Sequence, residues 1–150
     1  MAIIKMDHVT IVVDDMPAAI AFFNVLGMEL MGEASVEGDW VDRICGLKDT
    51  RADIAMMRTA DGNAQIELTK YHNPPLVPTE PAIAPPNTLG LRQIMYLVEN
   101  IEETVTQLLA HGSELIGEIV QYEDCYRLCY MRGPAGIIIA LAEELDRRPN

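Results

Sequence analysis

The chain has 150 residues and a formal net charge of −12, and 49% of its residues are hydrophobic. This length suits one domain, or two small repeats that share a core, and the acidic balance argues against nucleic acid and anionic membranes as partners. No apolar run approaches the roughly 18 residues of a membrane span, and the N-terminus lacks a signal-peptide pattern. We therefore expect a cytoplasmic protein.

The cysteines do not form a recognisable pattern. Cys45, Cys125 and Cys129 are odd in number and contain no C-x-x-C pair. On a strand, Cys125 and Cys129 would be about 13 Å apart, which is too far for a disulfide. We expect all three to be reduced, partly buried side chains.

One segment of the chain occurs twice. Residues 6–30, MDHVTIVVDDMPAAIAFFNVLGMEL, align without a gap with residues 91–115, LRQIMYLVENIEETVTQLLAHGSEL. Each copy begins with a run of aliphatic residues, which a short polar segment interrupts. After it, apolar residues recur every three or four positions until a glycine, Gly27 or Gly112. This pattern predicts a strand, a helix and a glycine stop in each half of the chain.

The first half adds three strands and a short helix to this unit. Asp14, Asp15 and Pro17 mark the start of the first helix, and the Asp61-Gly62 dipeptide predicts a hairpin. The predicted elements are strand 3–13, helix 16–25, strand 28–35, a short helix within 38–48, and strands 52–59 and 64–71.

The short helix lies in a stretch, VEGDWVDRICGLKD, that the second half lacks. Asp39 can cap it, and its apolar residues have helical spacing. Two interpretations remain open. The helix closes one end of the core, or it forms a lid in which Trp40 and Arg43 contact a ligand.

A proline-rich segment separates the two halves. Residues 73–86, NPPLVPTEPAIAPP, disfavour both helix and central strand. The second half then predicts strand 91–98, helix 101–110, and strands 114–120, 126–132 and 137–142.

The sequence thus predicts an α+β fold of two tandem βαβββ modules. We expect a cupped, mixed sheet of about eight strands with a cleft between the modules. The predicted boundaries are a first module at 1–72, a linker at 73–88, a second module at 89–145 and a solvated tail at 146–150.

Equivalent positions of the two halves differ in their polar residues. His8 aligns with Gln93, and Glu67 aligns with Ala140. A carboxylate in an otherwise apolar strand is costly unless it is paired, hydrogen-bonded, ligating or solvated. His8 and Glu67 are therefore the candidate site pair.

Other side chains could face the cleft. Strand alternation places Tyr130 on one face of its strand and Arg127 on the other. An arginine here could bind a ligand carboxylate or phosphate, whereas a solvated sheet edge would also explain the charges. We also assign Met57 and Met95 to the ligand-lining group.

The chain resembles the vicinal oxygen chelate superfamily. The resemblance covers nearly the whole sequence and rests on the paired modules and on four segments: DHVTIVVDD with His8, QIEL with Glu67, GLRQIMYLV, and RGPAGIIIALAEEL. That superfamily includes glyoxalase I, methylmalonyl-CoA epimerases, extradiol dioxygenases and bleomycin- and fosfomycin-resistance proteins.

The resemblance implies a divalent ion, Zn²⁺, Ni²⁺, Mn²⁺ or Fe²⁺, bound by His8, Glu67 and Gln93. Glu67 is also the candidate catalytic residue, because Ala140 stands where the second carboxylate is expected. The alternative is a degenerate site without metal, in which His8 and Glu67 hydrogen-bond directly.

The resemblance leaves three functions open. The first is a glyoxalase-like, metal-dependent lyase or isomerase acting on a small oxygenated substrate, similar to lactoylglutathione lyase. The second is a non-catalytic protein that sequesters a small molecule, as bleomycin-resistance members do, and the third is a dioxygenase-like enzyme. A homodimer with a small-molecule ligand is expected in each case.

Overall fold

A computed structural model describes residues 2–145 of the chain. The predicted tail at 146–150 lies outside these residues. Within them, the secondary structure consists of the following elements: β1 (Val9–Val12), α1 (Met16–Val25), β2 (Glu29–Glu37), α2 (Asp39–Cys45), β3 (Arg51–Arg58), β4 (Gln65–Asn73), β5 (Gln93–Leu97), α3 (Ile101–Ala110), β6 (Leu115–Tyr122), β7 (Tyr126–Arg132) and β8 (Ile138–Glu144), with a short 3₁₀ turn at Pro134–Gly136.

The chain divides into two compact units, one ending at Pro78 and the other beginning at Thr79. Each unit contains a four-stranded mixed sheet. The strand order is β1-β4-β3-β2 in the first unit and β5-β8-β7-β6 in the second. In both, the first and last strands of the module pair in parallel and the other neighbours pair antiparallel. The predicted α+β class and the two tandem βαβββ modules are therefore confirmed, with the strands arranged as two sheets of four.

The two long helices begin and end in the same way. Asp15 caps α1 by accepting a hydrogen bond from the Ala18 amide, and Asn100 caps α3 by accepting one from the Glu103 amide. Each helix stops at a glycine with positive φ, Gly27 at +92° and Gly112 at +87°. At each stop the next residue's amide bonds back to a carbonyl in the last turn, as in a Schellman motif. The repeated sequence pattern thus specifies the same local structure twice.

The core of the first unit lies on one face of its sheet. Helix α1 packs against β2, β3 and β4, and it contributes Phe22 and Phe23, whose rings meet edge to face. Alternate strand residues of this face are buried: Ile11, Val13, Ala55, Met57, Ile66 and Leu68. The opposite face carries His8, Thr10, Glu67, Thr69 and Tyr71, and we call it the polar face.

The core of the second unit is built around β8. Residues Ile138 to Ala142 of this strand are all at most 2% exposed, and α3 packs against β7 and β8. A continuous apolar run is typical of a central strand that is covered on both sides.

The first strand is shorter than predicted. Residues 3–8 were expected to extend it, but pairing with β4 begins at Val9. Ile3, Ile4 and Met6 are at least 80% exposed. An aliphatic run favours strand only where a neighbouring strand is available, and the parallel partner β4 begins at Gln65.

In the described part of the chain, no helix has both the length and the apolar character needed to cross a membrane.

Candidate functional site

His8 and Glu67 come together on the polar face of the first sheet. The parallel register pairs Thr10 with Glu67, and His8 lies just before β1. The His8 Nε2 atom is 3.9 Å from Glu67 Oε1. This distance is longer than a hydrogen bond, so the two groups face each other without bonding directly.

The imidazole of His8 is oriented by its neighbour. Its Nδ1 atom lies 2.7 Å from the Asp7 carboxylate. The hydrogen bond from His8, followed by the hydrogen bond and the positive charge of Lys5, holds the pKa of Asp7 below its ordinary value. When the neutral imidazole donates its Nδ1 proton to Asp7, Nε2 presents its lone pair toward Glu67.

The carboxylate of Glu67 is held by two hydroxyl groups. Thr10 Oγ1 donates to Oε2 over 3.0 Å, and Thr69 Oγ1 donates to the same oxygen over 2.8 Å. These bonds satisfy one oxygen of a side chain that is only 20% exposed and offset its desolvation. The other oxygen, Oε1, is the one that faces His8.

The sheet register establishes the equivalence of the two modules. In the first, Thr10 pairs with Glu67, and Glu67 pairs with Met56. In the second, Met95 pairs with Ala140, and Ala140 pairs with Tyr130. Ala140 therefore occupies the position of Glu67 and offers no donor. Gln93, the counterpart of His8, is exposed at the start of β5.

The donor chemistry of the first module suits a divalent ion. An imidazole nitrogen with a carboxylate behind it, facing a carboxylate oxygen, is a common pattern in metal sites. Among residues 2–145, no group of three or more His, Cys, Asp or Glu side chains is arranged to hold a metal. Of the four side-chain types, the described residues bring only His8 Nε2 and Glu67 Oε1 face to face on the polar face.

The predicted ligand-lining residues of the first module differ in their exposure to solvent. Trp40 is 56% exposed on α2, and Arg43 forms an exposed ion pair with Asp39. Met57 is fully buried in the core, and its neighbour Met56 lies beside Glu67 on the polar face. Successive strand residues point to opposite faces. Met57 therefore lies in the core, whereas Met56, one position earlier, lies on the polar face.

In the second module, Met95 and Tyr130 share a face with Ala140, and Met95 is 51% exposed. Arg127 lies on the other face, where its guanidinium donates to Glu102 of α3 over 2.7 Å. This arginine connects the helix to the sheet.

The structure contains a second polar cluster that the sequence did not suggest. Asp53 accepts hydrogen bonds from Ser35 and from His72, each over 2.7 Å. The hydrogen bond from His72, and to a smaller extent that from Ser35, holds the pKa of Asp53 below its ordinary value. The cluster lines an open cavity of about 470 Å³ together with Val36, Glu37 and Arg51. The cluster depends on the β2–β3 register, which places Ser35 opposite Asp53 and which the sequence does not give.

The three cysteines are free thiols, as expected, but the expected partial burial is wrong: Cys45 and Cys125 are exposed, and Cys129 is buried. Burial raises the pKa of the Cys129 thiol to about 11, which makes it a poor nucleophile. Cys45, at the end of α2, lies 3.9 Å from the hydroxyl of Tyr71.

Comparison with known proteins decides the family. The family model of the glyoxalase/bleomycin resistance protein/dioxygenase superfamily matches residues 7–130. The chain belongs to this superfamily. A glyoxalase family protein from Bacillus cereus is 48% identical in sequence, with 97% of each chain covered and a TM-score of 0.93. Among curated proteins, none matches the sequence significantly.

More distant structures share the fold. TnmS3, an antibiotic binding protein from Streptomyces sp. CB03234, is 16% identical, with 96% of this chain and 98% of that chain covered and a TM-score of 0.61. A mutant of the fosfomycin resistance protein FosX from Listeria monocytogenes, complexed with Mn(II) and a dihydroxypropylphosphonic acid, is 14% identical. It has a TM-score of 0.60, with 93% of this chain and 90% of that chain covered.

Proposed function

We propose that this superfamily member is a glyoxalase-like, metal-dependent lyase or isomerase that acts on a small oxygenated substrate. The observation that supports the proposal is the arrangement of Asp7, His8 and Glu67. His8 Nε2 and Glu67 Oε1 face each other 3.9 Å apart, beyond hydrogen-bond distance. This separation leaves space for an ion between them.

Each residue of the site has a distinct role. His8 and Glu67 would hold the ion, Asp7 orients the imidazole, and the hydroxyls of Thr10 and Thr69 fix the Glu67 carboxylate. A bound divalent ion would polarise a carbonyl or hydroxyl oxygen of the substrate. Glu67 is also the proposed proton acceptor, because Ala140 stands at the equivalent position of the second module and offers no carboxylate.

The donor set restricts the choice of metal without naming one. Imidazole and carboxylate suit Zn²⁺, Ni²⁺, Mn²⁺ and Fe²⁺. Gln93 is retained as a proposed third donor through its amide oxygen.

A dioxygenase-like reaction is less well supported, since its facial triad needs a second histidine. We further propose a cytoplasmic homodimer with a small-molecule ligand.

Ala140 favours a second candidate, a non-catalytic protein that binds and sequesters a small molecule. This residue is fully buried and replaces a potential second carboxylate, while Met95 beside it presents an exposed apolar side chain. A binding protein needs such a surface and no proton acceptor.

Metal content tests the proposal. Protein purified without a histidine tag, and incubated with each of the four ions before desalting, should contain near-stoichiometric metal by elemental analysis. We expect His8→Ala and Glu67→Ala to lose most of it, because each removes one of two strong donors. Asp61→Ala, on the exposed β3–β4 turn, serves as the matched control and should retain the metal.

Circular dichroism should first establish that each variant is folded. If wild type then contains no metal under any of these conditions, the metalloenzyme is excluded and the sequestering protein becomes the better account.

A further inference from the structure

Tyr71 lies on the same face of β4 as Glu67. Residues Glu67, Thr69 and Tyr71 alternate along the strand, and the hydrogen bond from Thr69 to Glu67 shows that side chains two residues apart meet on this face. Tyr71 is partly exposed. A phenol is therefore present on the polar face, beyond the threonine and on the same strand as the metal-binding carboxylate.

Helix α2 reaches the phenol through Cys45. The thiol Sγ atom lies 3.9 Å from Tyr71 Oη, within the range of a sulfur hydrogen bond. Either atom can be the donor of this contact; with the thiol as the donor, the phenol O–H is available to another acceptor. Burial, and then the neighbouring Cys45 and Glu67, raise the pKa of Tyr71, so the hydroxyl keeps its proton at neutral pH.

We propose that Tyr71 is a specificity-determining residue that donates a hydrogen bond to the distal polar group of the substrate. The inference rests on the proposed function, in which the proximal oxygens of the substrate lie at the His8 and Glu67 ion. Four residues along a strand correspond to about 13 Å between Cα atoms. The preferred substrate therefore carries a hydrogen-bond acceptor several atoms away from its metal-binding oxygens.

Two catechol probes distinguish the proposed hydrogen bond from Tyr71 from binding to the metal ion. Catechol presents a pair of oxygens to a metal ion, and 4-nitrocatechol adds an acceptor at the far end of the ring. Their dissociation constants for Ni²⁺-loaded wild type and Tyr71→Phe are measured by isothermal titration calorimetry, after elemental analysis of both proteins.

We expect Tyr71→Phe to raise the dissociation constant for 4-nitrocatechol about threefold to tenfold, as the loss of one hydrogen bond predicts. The constant for catechol should change less than twofold. A merely structural role of Tyr71 would affect both probes equally, so equal changes, or no change for either probe, in metal-loaded proteins overturn the inference. Wild type without metal overturns the proposed function and the inference with it.

Cys45 provides an independent check of the positioning. Cys45→Ala removes the thiol beside Tyr71, and we expect its dissociation constant for 4-nitrocatechol to rise about twofold to threefold. A constant equal to that of wild type would show that the thiol does not position Tyr71.

Discussion

Glu67 shows how a strand accommodates a carboxylate. From the sequence alone, a charged residue between Ile66 and Leu68 is costly. The structure offsets this cost with two threonine hydroxyls, one from β1 and one from β4 itself. Both bond to the same oxygen, so the carboxylate is stabilised while its second oxygen remains directed toward His8.

Asp7 gives the first prediction at this scale. Asp7→Ala removes the partner of His8 Nδ1, so the imidazole loses the hydrogen bond that orients it. Residues that support a metal ligand in this way are typically worth 10- to 100-fold in metal affinity. We therefore expect at least a tenfold loss of Ni²⁺ affinity, measured by competition with a chromophoric chelator.

Asp61→Ala is the appropriate control for Asp7, because it removes the same charge from the first module at the β3–β4 turn. If Asp7→Ala and Asp61→Ala bind Ni²⁺ equally well, the role assigned to Asp7 is wrong.

Among the secondary-structure elements, the helices are specified most directly by local sequence. Both long helices have a polar N-cap and a glycine after the C-cap, and their observed bounds, Met16–Val25 and Ile101–Ala110, are those predicted. Capping groups act within one turn of the chain. The pattern is therefore readable without knowledge of tertiary contacts.

Asn100 provides a test of this reading. Asn100→Ala leaves the Glu103 amide without its side-chain acceptor and should lower the free energy of unfolding by about 1 kcal/mol. Asn100→Asp keeps an acceptor and should be close to wild type. Urea denaturation followed by circular dichroism measures both.

For comparison, Gln107→Ala replaces an exposed residue of the same helix with a better helix former. It should not lower stability. A loss of stability in Gln107→Ala similar to that in Asn100→Ala would contradict the capping role.

For the molecule as a whole, stability comes from the buried face of each sheet. Ile66 is 4% exposed and pairs with the buried Met57, whereas Ile4 is 98% exposed. Ile66→Ala should lower the free energy of unfolding by about 2–5 kcal/mol, through lost burial and the cavity left behind. The chemically identical change Ile4→Ala should lower it by less than about 0.5 kcal/mol. Urea denaturation distinguishes them, and similar losses in both would contradict this assignment of the core.

Several features of the molecule followed from the sequence alone. The internal repeat, the glycine stops and the strand periodicity predicted two βαβββ modules, and four motifs indicated the superfamily. His8 and Glu67 were identified as a pair because a polar residue in an apolar strand is conspicuous. These signals are local or depend on the comparison of two halves of one chain, so they need no coordinates.

Other features depended on tertiary structure. Strand register decided that Met56, rather than Met57, lies beside Glu67, and it brought Ser35 to Asp53 and His72. The packing of α3 against β7 directed Arg127 to Glu102, and the end of α2 brought Cys45 to Tyr71. Each of these contacts joins residues that are distant in sequence. Periodicity gives the face on which a residue lies within its own strand, whereas only the assembled sheet decides which residues of other elements meet it there.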